Sequence, residues 1–389
     1  MNGTCIRCLL LGCFPLLILG PMCGRAVAQL PANLKLEDII ATARTRQEHA
    51  KSLHFSFTQR VTDARDSRSL PKRLNPTGEV IPPRDVTYDS HTEIWIDGEK
   101  MCYAFDDHQW SKEEQRFVPS LEIATIQGKL QKTLLKNGSP GKPHPFGTIQ
   151  DEQKHFAVGS IHLAPLLMTF RAADPKMRPF DISQMTLTGR RAQIEGRPCW
   201  ELQLQLPASS LVDYLWVDPA RDFVIPRYVE TNEGKLVYQM DVHFTKHADA
   251  GWTPSDWNIV MQFPDGRLRN SAKSTVTQQD INQSIPADQF DIVFPHGTYL
   301  MNFVTGENYI IKSDGDKRPV QNEELRLTYE QLNSSEPGEL AGQKPPFFRR
   351  WWAWLLAVTL VGILLIFYRV WRKQLHLRRH GPSQYDSHL

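Results

Sequence analysis

Apolar residues recur at every second position through much of this chain, and that period restricts its possible folds more than any other feature. In LHFSFTQRVTD, Leu53, Phe55, Phe57 and Val61 alternate with Ser56, Thr58, Arg60 and Thr62. Such a period puts one set of side chains on a dry face and the other on a wet one, as in a half-buried strand. RPCWELQLQL repeats it, with Trp200, Leu202, Leu204 and Leu206 against Glu201, Gln203 and Gln205. TEIWID and KMCYAFDD flank the short turn Asp97-Gly98-Glu99, and MTLTGRRAQI and RPCWELQLQL flank Glu195-Gly196. Turns of this kind close antiparallel hairpins. LVDYLWVD, VIPRYVET, KLVYQMDVHF, WNIVMQFP, RLRNSAKSTVTQ and QFDIVFP continue the series. The prediction is a mainly β fold of roughly ten strands, an up-and-down antiparallel sheet or barrel.

Two segments break the period. Leu36, Ile39, Ile40, Ala43 and Ala50 fall on one side of a helical repeat, with Glu37 and Asp38 suited to its first turn. In SIHLAPLLMTFRAADP, Leu163, Leu166, Leu167, Met168 and Phe170 form a dense apolar cluster. It reads as a short helix beginning near Pro165 and stopped by Asp174-Pro175. In a β domain such a helix must lie on the sheet or across an open barrel mouth.

The ends carry targeting signals. Arg7, the apolar run LLLGCFPLLILG and the small-residue site Ala26–Ala28 predict a signal peptide over 1–28, with lipoprotein processing at Cys13 as the rival reading. WWAWLLAVTLVGILLIFY, Trp351 to Tyr368, is uncharged and flanked by aromatic residues, which predicts one C-terminal transmembrane helix within 347–371. Arg369, Arg372, Lys373, Arg378 and Arg379 follow it, against Lys344, Arg349 and Arg350 before it. This excess places the tail, 372–389, in the cytoplasm and the bulk of the chain on the periplasmic side of the inner membrane. Between the ends lie a β domain, 29–316, and a polar linker, 317–346. A flexible linker of that length spans roughly 30 Å, which favours a tethered binder over a free shuttle. The formal net charge of +2 gives no reason to expect nucleic acid.

The amphipathic helix running into SFTQRVTD (Ser56–Asp63) resembles the N-terminal signature of the LolA/LolB-like lipoprotein-carrier superfamily. LWVDPARDFVIPRYV and FDIVFPHGTY resemble later parts of such domains, so the likeness extends over about Leu34 to Tyr299. The resemblance implies an incomplete antiparallel β-barrel with covering helices and an apolar interior that accommodates acyl chains. Leu53, Phe55, Phe57 and Val61 would then line the cavity, with Leu166, Leu167 and Phe170 on a lid and Trp200, Leu202 and Leu204 adding apolar contact. The implied partners are the membrane, a lipid or lipoprotein cargo or, alternatively, an envelope partner protein. The insertion Asp66–Asp85 and the C-terminal apolar segment depart from the family pattern.

Catalytic signals are weak. His243 and His247 stand four apart on a strand-like segment with no intervening glutamate, so they read as surface histidines rather than metal ligands. Asp106, Asp107 and His108 read as turn residues, and Ser209 and Ser210 lack the glycines of a nucleophile elbow. No cofactor is expected. Cys102 and Cys199, the cysteines of the exported portion, alternate onto the outer face, where a disulfide or two separate thiols remain open.

Overall fold

The structure, a computed structural model, describes residues 34–68, 80–111, 114–138, 144–151, 160–172, 182–205, 209–325 and 327–334. The expected signal peptide and apolar C-terminal span lie outside these. Among the described residues no helix is long and apolar enough to cross a membrane.

Three runs of strands make one open sheet. The first is β1 (Ser52–Asp63), β2 (Val86–Asp97), β3 (Lys100–Ser111), β4 (Arg116–Gln127), β5 (Leu130–Leu135) and β6 (Phe146–Asp151). The second is β7 (Thr186–Ile194), β8 (Arg197–Gln205), β9 (Leu211–Asp218), β10 (Val224–Asn232), β11 (Lys235–His247), β12 (Gly251–Gln262) and β13 (Leu268–Ile281). The third is short: β14 (Tyr299–Asn302), β15 (Glu307–Ile311) and β16 (Lys317–Val320). Their order is β16-β15-β14-β6-β5-β4-β3-β2-β1-β13-β12-β11-β10-β9-β8-β7. Strands β1 and β13 join the two long meanders, antiparallel from Leu53 opposite Ile281 to Asp63 opposite Asn270, with an irregularity at Ser56/Phe57. The pairing of β14 with β6 is parallel. Local chemistry explains the tight hairpins. Glu195-Gly196 and Glu233-Gly234 both take positive φ, as a two-residue type I′ turn requires, and glycine is the residue that does so without strain.

This topology decides where the helices go. β6 and β7 belong to opposite wings, so the chain must cross the sheet between them, and α2 (Ser160–Phe170) is the described part of that crossing. α1 (Leu36–His49) enters just before the central strand β1 and packs beside α2. The segment after β13 crosses the other face. There Gln289 reaches the Cys102 thiol at 3.7 Å, Gln127 donates to the Phe290 carbonyl and Lys132 pairs with Asp291 at 2.5 Å. It then delivers β14 to the edge of β6.

Several expectations change. More strands form than the alternation announced: β4, β5, β6 and β14–β16 lack its regular contrast. QFDIVFP is not a strand, since Ala287–Phe290 forms a 3₁₀ turn that serves the crossing. The linker begins later than Lys317, because Lys317–Val320 is β16 and α3 (Tyr329–Ser334) packs Leu332 against Ile310 and Val320. α2 starts at Ser160, five residues before Pro165, which lies inside it. Asp106, Asp107 and His108 belong to β3, which runs on to Ser111 opposite β4. Cys102 and Cys199 are free thiols, and both are buried instead of open on an outer face. Cys102 lies under the crossing segment around Gln289. Burial pushes these thiols up, to about 11 for Cys102 and about 12 for Cys199.

Candidate functional site: an apolar helix seated on the inner face

Residues Leu53, Phe55, Phe57 and Val61 all point from β1 to the inner face and are buried. Trp200 and Leu202 join them from β8, with Leu204 partly buried at the margin. Against this wall lies α2, whose side chains from Leu163 to Phe170 are all buried. All ten residues expected to line a cavity thus meet in or against one apolar cluster. The contacts are close: the Phe55 and Phe170 rings are 5.7 Å apart, and Phe57 meets Trp257 edge-on at 4.8 Å. The concave wall is filled by the side chains of its own covering helix.

Two arginines hold the C-terminal end of α2. Arg46 of α1 is buried; its Nη1 donates to the Thr169 carbonyl at 3.1 Å and its Nη2 to the Asp222 carbonyl. Desolvation lowers its pKa to about 10, with Asp222 pulling the other way. Arg171, also buried, donates to the Phe170 carbonyl at 2.8 Å and the Gly98 carbonyl at 3.5 Å. Helix C-termini leave carbonyls without intrahelical partners, and here buried guanidinium groups satisfy them. At the other end of α2, His162 stacks on Phe105 at 4.8 Å. Nearby, buried Asp63 accepts from Tyr88 at 3.2 Å and from Asn270 at 2.8 Å, and pairs with Arg68 at 2.8 Å. Along the opposite rim, Asp213 accepts from Tyr228 at 2.8 Å, and burial raises the Asp213 carboxyl.

Sequence reasoning missed Arg46 and His162. The signal for Arg46 was present: with Ile39, Ala43 and Ala50 it completes a helical stripe, so a charge stands where the pattern calls for an apolar residue. The other flagged groups do not converge on this seat. His243 has both ring nitrogens on carboxylates, Asp256 at 2.6 Å and Glu195 at 3.1 Å, while His247 accepts the Asp249 amide at 3.2 Å. Ser209 and Ser210 lie before β9, where their hydroxyls engage the Leu211 amide and Asn232.

Fold and site together define a class: an open antiparallel sheet curled round a buried apolar helix. Structural comparison finds distant likenesses to solved proteins. One is a LolA superfamily protein from Nitrosomonas europaea, at 11% identity and TM-score 0.38, covering 67% of this chain and 99% of that one. Another is a DUF1329 family protein from Desulfovibrio piger, at 10% identity and TM-score 0.40, covering 66% and 97%. The MucA/MucB complex of Pseudomonas aeruginosa gives 12% identity and TM-score 0.19, covering 66% of this chain and 61% of that one. No family model and no curated protein sequence matches the chain. These likenesses are remote, and the functional argument rests on the seat itself.

Proposed function

We propose that this chain is a binding protein, not an enzyme, and that an acyl chain of a lipid or lipoprotein takes the seat occupied by α2. Segment 347–371 would tether the domain to the inner membrane, with the sheet on the periplasmic side. The observation that carries this reading is the burial of every α2 side chain from Leu163 to Phe170 against an apolar wall. Leu163, Leu166, Leu167, Met168 and Phe170 each gain about 1.5–3 kcal/mol by burial, or roughly 7–15 kcal/mol together. A saturated chain of about fourteen carbons gains roughly 11 kcal/mol at about 0.8 kcal/mol per methylene. The two occupants are of similar worth, so exchange needs only the Arg46 and Arg171 contacts to yield.

The test is a photoactivatable fatty acid added to membranes containing the full chain, with cross-links mapped by mass spectrometry. Cross-links on β1, β8 and α2 are expected. A map confined to 347–371 overturns the reading. A second reading draws on the same ring-to-ring packing: the domain is a solid scaffold that binds an envelope partner protein through its outer surface. In that case partner capture persists when a disulfide locks α2 to the sheet, whereas acyl binding is lost.

A further inference from the structure

The wet face of the central strands carries a feature that the apolar seat does not use. Arg60 on β1 stands directly opposite Lys273 on β13 and, on its other side, opposite Asp89 on β2. The neighbouring row on this face runs Thr275, Thr58 and His91. Asp106 on β3 follows Phe105, the partner of Thr92. With Gln59, Ser90, His108 and Pro119 these residues line a cavity of about 760 Å³.

Like charges directly opposite each other cost stability in a sheet, whereas Arg60 and Asp89 are placed to pair. Yet among the described residues none of Arg60, Lys273, Asp89 and Asp106 has an opposite charge within 4.0 Å. The result is a bipolar trough: two cations and two hydroxyls on β13 and β1, then two carboxylates on β2 and β3. Arg60 and Asp89, the facing members of the two poles, stand one strand spacing, roughly 4.8 Å, apart.

We infer that this cavity binds a small zwitterion of the phosphoethanolamine class. The phosphate lies between Arg60 and Lys273, where a guanidinium offers paired N–H donors and the Thr58 and Thr275 hydroxyls add two more. The ammonium points at Asp89 and Asp106. The ligand is either free or the headgroup of a lipid. Because none of these binding groups belongs to the apolar cluster of the α2 seat, this inference stands independently of the acyl-chain reading.

Calorimetry on the full chain in phosphatidylcholine nanodiscs tests it, with O-phosphoethanolamine, inorganic phosphate and ethanolamine as probes. Phosphoethanolamine should bind at least tenfold tighter than either half alone. Arg60→Gln and Lys273→Gln should each weaken it about tenfold or more. Asp89→Asn should bring phosphoethanolamine and phosphate to similar affinities. These side chains are exposed, so an unchanged urea midpoint shows that each variant folds. Equal wild-type affinity for phosphate and phosphoethanolamine, or unaltered binding in Arg60→Gln and Lys273→Gln, overturns the inference. Among supporting outcomes, additional binding to phosphatidylethanolamine vesicles, lost in Arg60→Gln, identifies a lipid headgroup. Its absence beside soluble binding identifies a free ligand. Vesicle binding without binding of the soluble probe overturns the site.

Discussion

Acidification should loosen α2 through His162. Its Nδ1 is buried and has no hydrogen-bond partner. Burial, assisted by the Arg68 cation and opposed by Asp63, lowers its pKa from 6.5 to about 4. A histidine with a depressed pKa is held neutral when docked, and once released it takes up a proton more readily. The docked state therefore keeps its full stability above about pH 6.5, loses it progressively as pH falls, and has lost all of this contribution below about pH 4. A shift of that size corresponds to roughly 3 kcal/mol, at about 1.4 kcal/mol per pKa unit. The residue retains some solvent exposure, so about 1.5–3 kcal/mol is the expected range, or roughly ten- to a hundredfold in the opening equilibrium. Amide hydrogen exchange reads this directly. Between pH 7 and 4.5, and after correction for intrinsic rates, Leu163–Phe170 should lose ten- to a hundredfold more protection than β1 or β13. His162→Leu should remove the difference, since an apolar side chain of similar reach fits beside Phe105. An equal loss of protection in His162→Leu, or no difference between α2 and the central strands in the wild type, would refute the reasoning.

Three further perturbations test the packing. Arg46→Met keeps the apolar stem but strands the buried Thr169 carbonyl; leaving a buried polar group unpaired costs about 1–3 kcal/mol, so urea unfolding should show a loss of that size. Phe57→Ala removes the ring packed on Trp257 and should cost about 3–5 kcal/mol, seen as a lowered thermal midpoint with unchanged far-ultraviolet circular dichroism at 20 °C. Cys102 and Cys199, buried thiols with raised pKa values, should resist iodoacetamide at pH 8 in the native chain and react within minutes in urea; peptide mass spectrometry distinguishes them from the four cysteines of residues 1–28. Native-state alkylation at the unfolded rate would contradict the burial.

Alternation made the central strands legible, because β1 and β11 each have one face in the core and one turned mostly to water. It failed for β4 to β6, where the crossing segment covers the outer face and both sides become partly dry. Cys102 shows the same effect: its side of β3 is outward by period but lies beneath Gln289. The linker prediction failed for a different reason. Four-residue strands such as β16 are too short to establish a period, and they form by extending an edge that already exists. The bipolar trough was half visible, since Thr58 and Arg60 mark the wet face of β1. Lys273 could not be placed opposite Arg60, because the register that brings it there joins strands more than two hundred positions apart.

The apolar inner face raises a question that period alone leaves open, because a lined cavity and a filled core both alternate. The helices settle how it is filled. α1 has an apolar stripe, with Ile39 and Ala43 buried and Arg44 and Glu48 exposed, as a helix does when it lies between a core and water. α2 offers no polar face between Leu163 and Phe170, apart from Thr169, whose hydroxyl donates back to the Pro165 carbonyl at 2.7 Å. A helix without a wet side is stable only where every side is covered, so α2 must sit inside the curl as a plug. Its withdrawal would leave both the plug and its seat exposed to water, at a cost comparable with the whole stability of an ordinary domain. Spontaneous opening of the seat is therefore rare, and under the proposed acyl-chain binding exchange is the step that a kinetic experiment should find proportional to acyl-chain concentration.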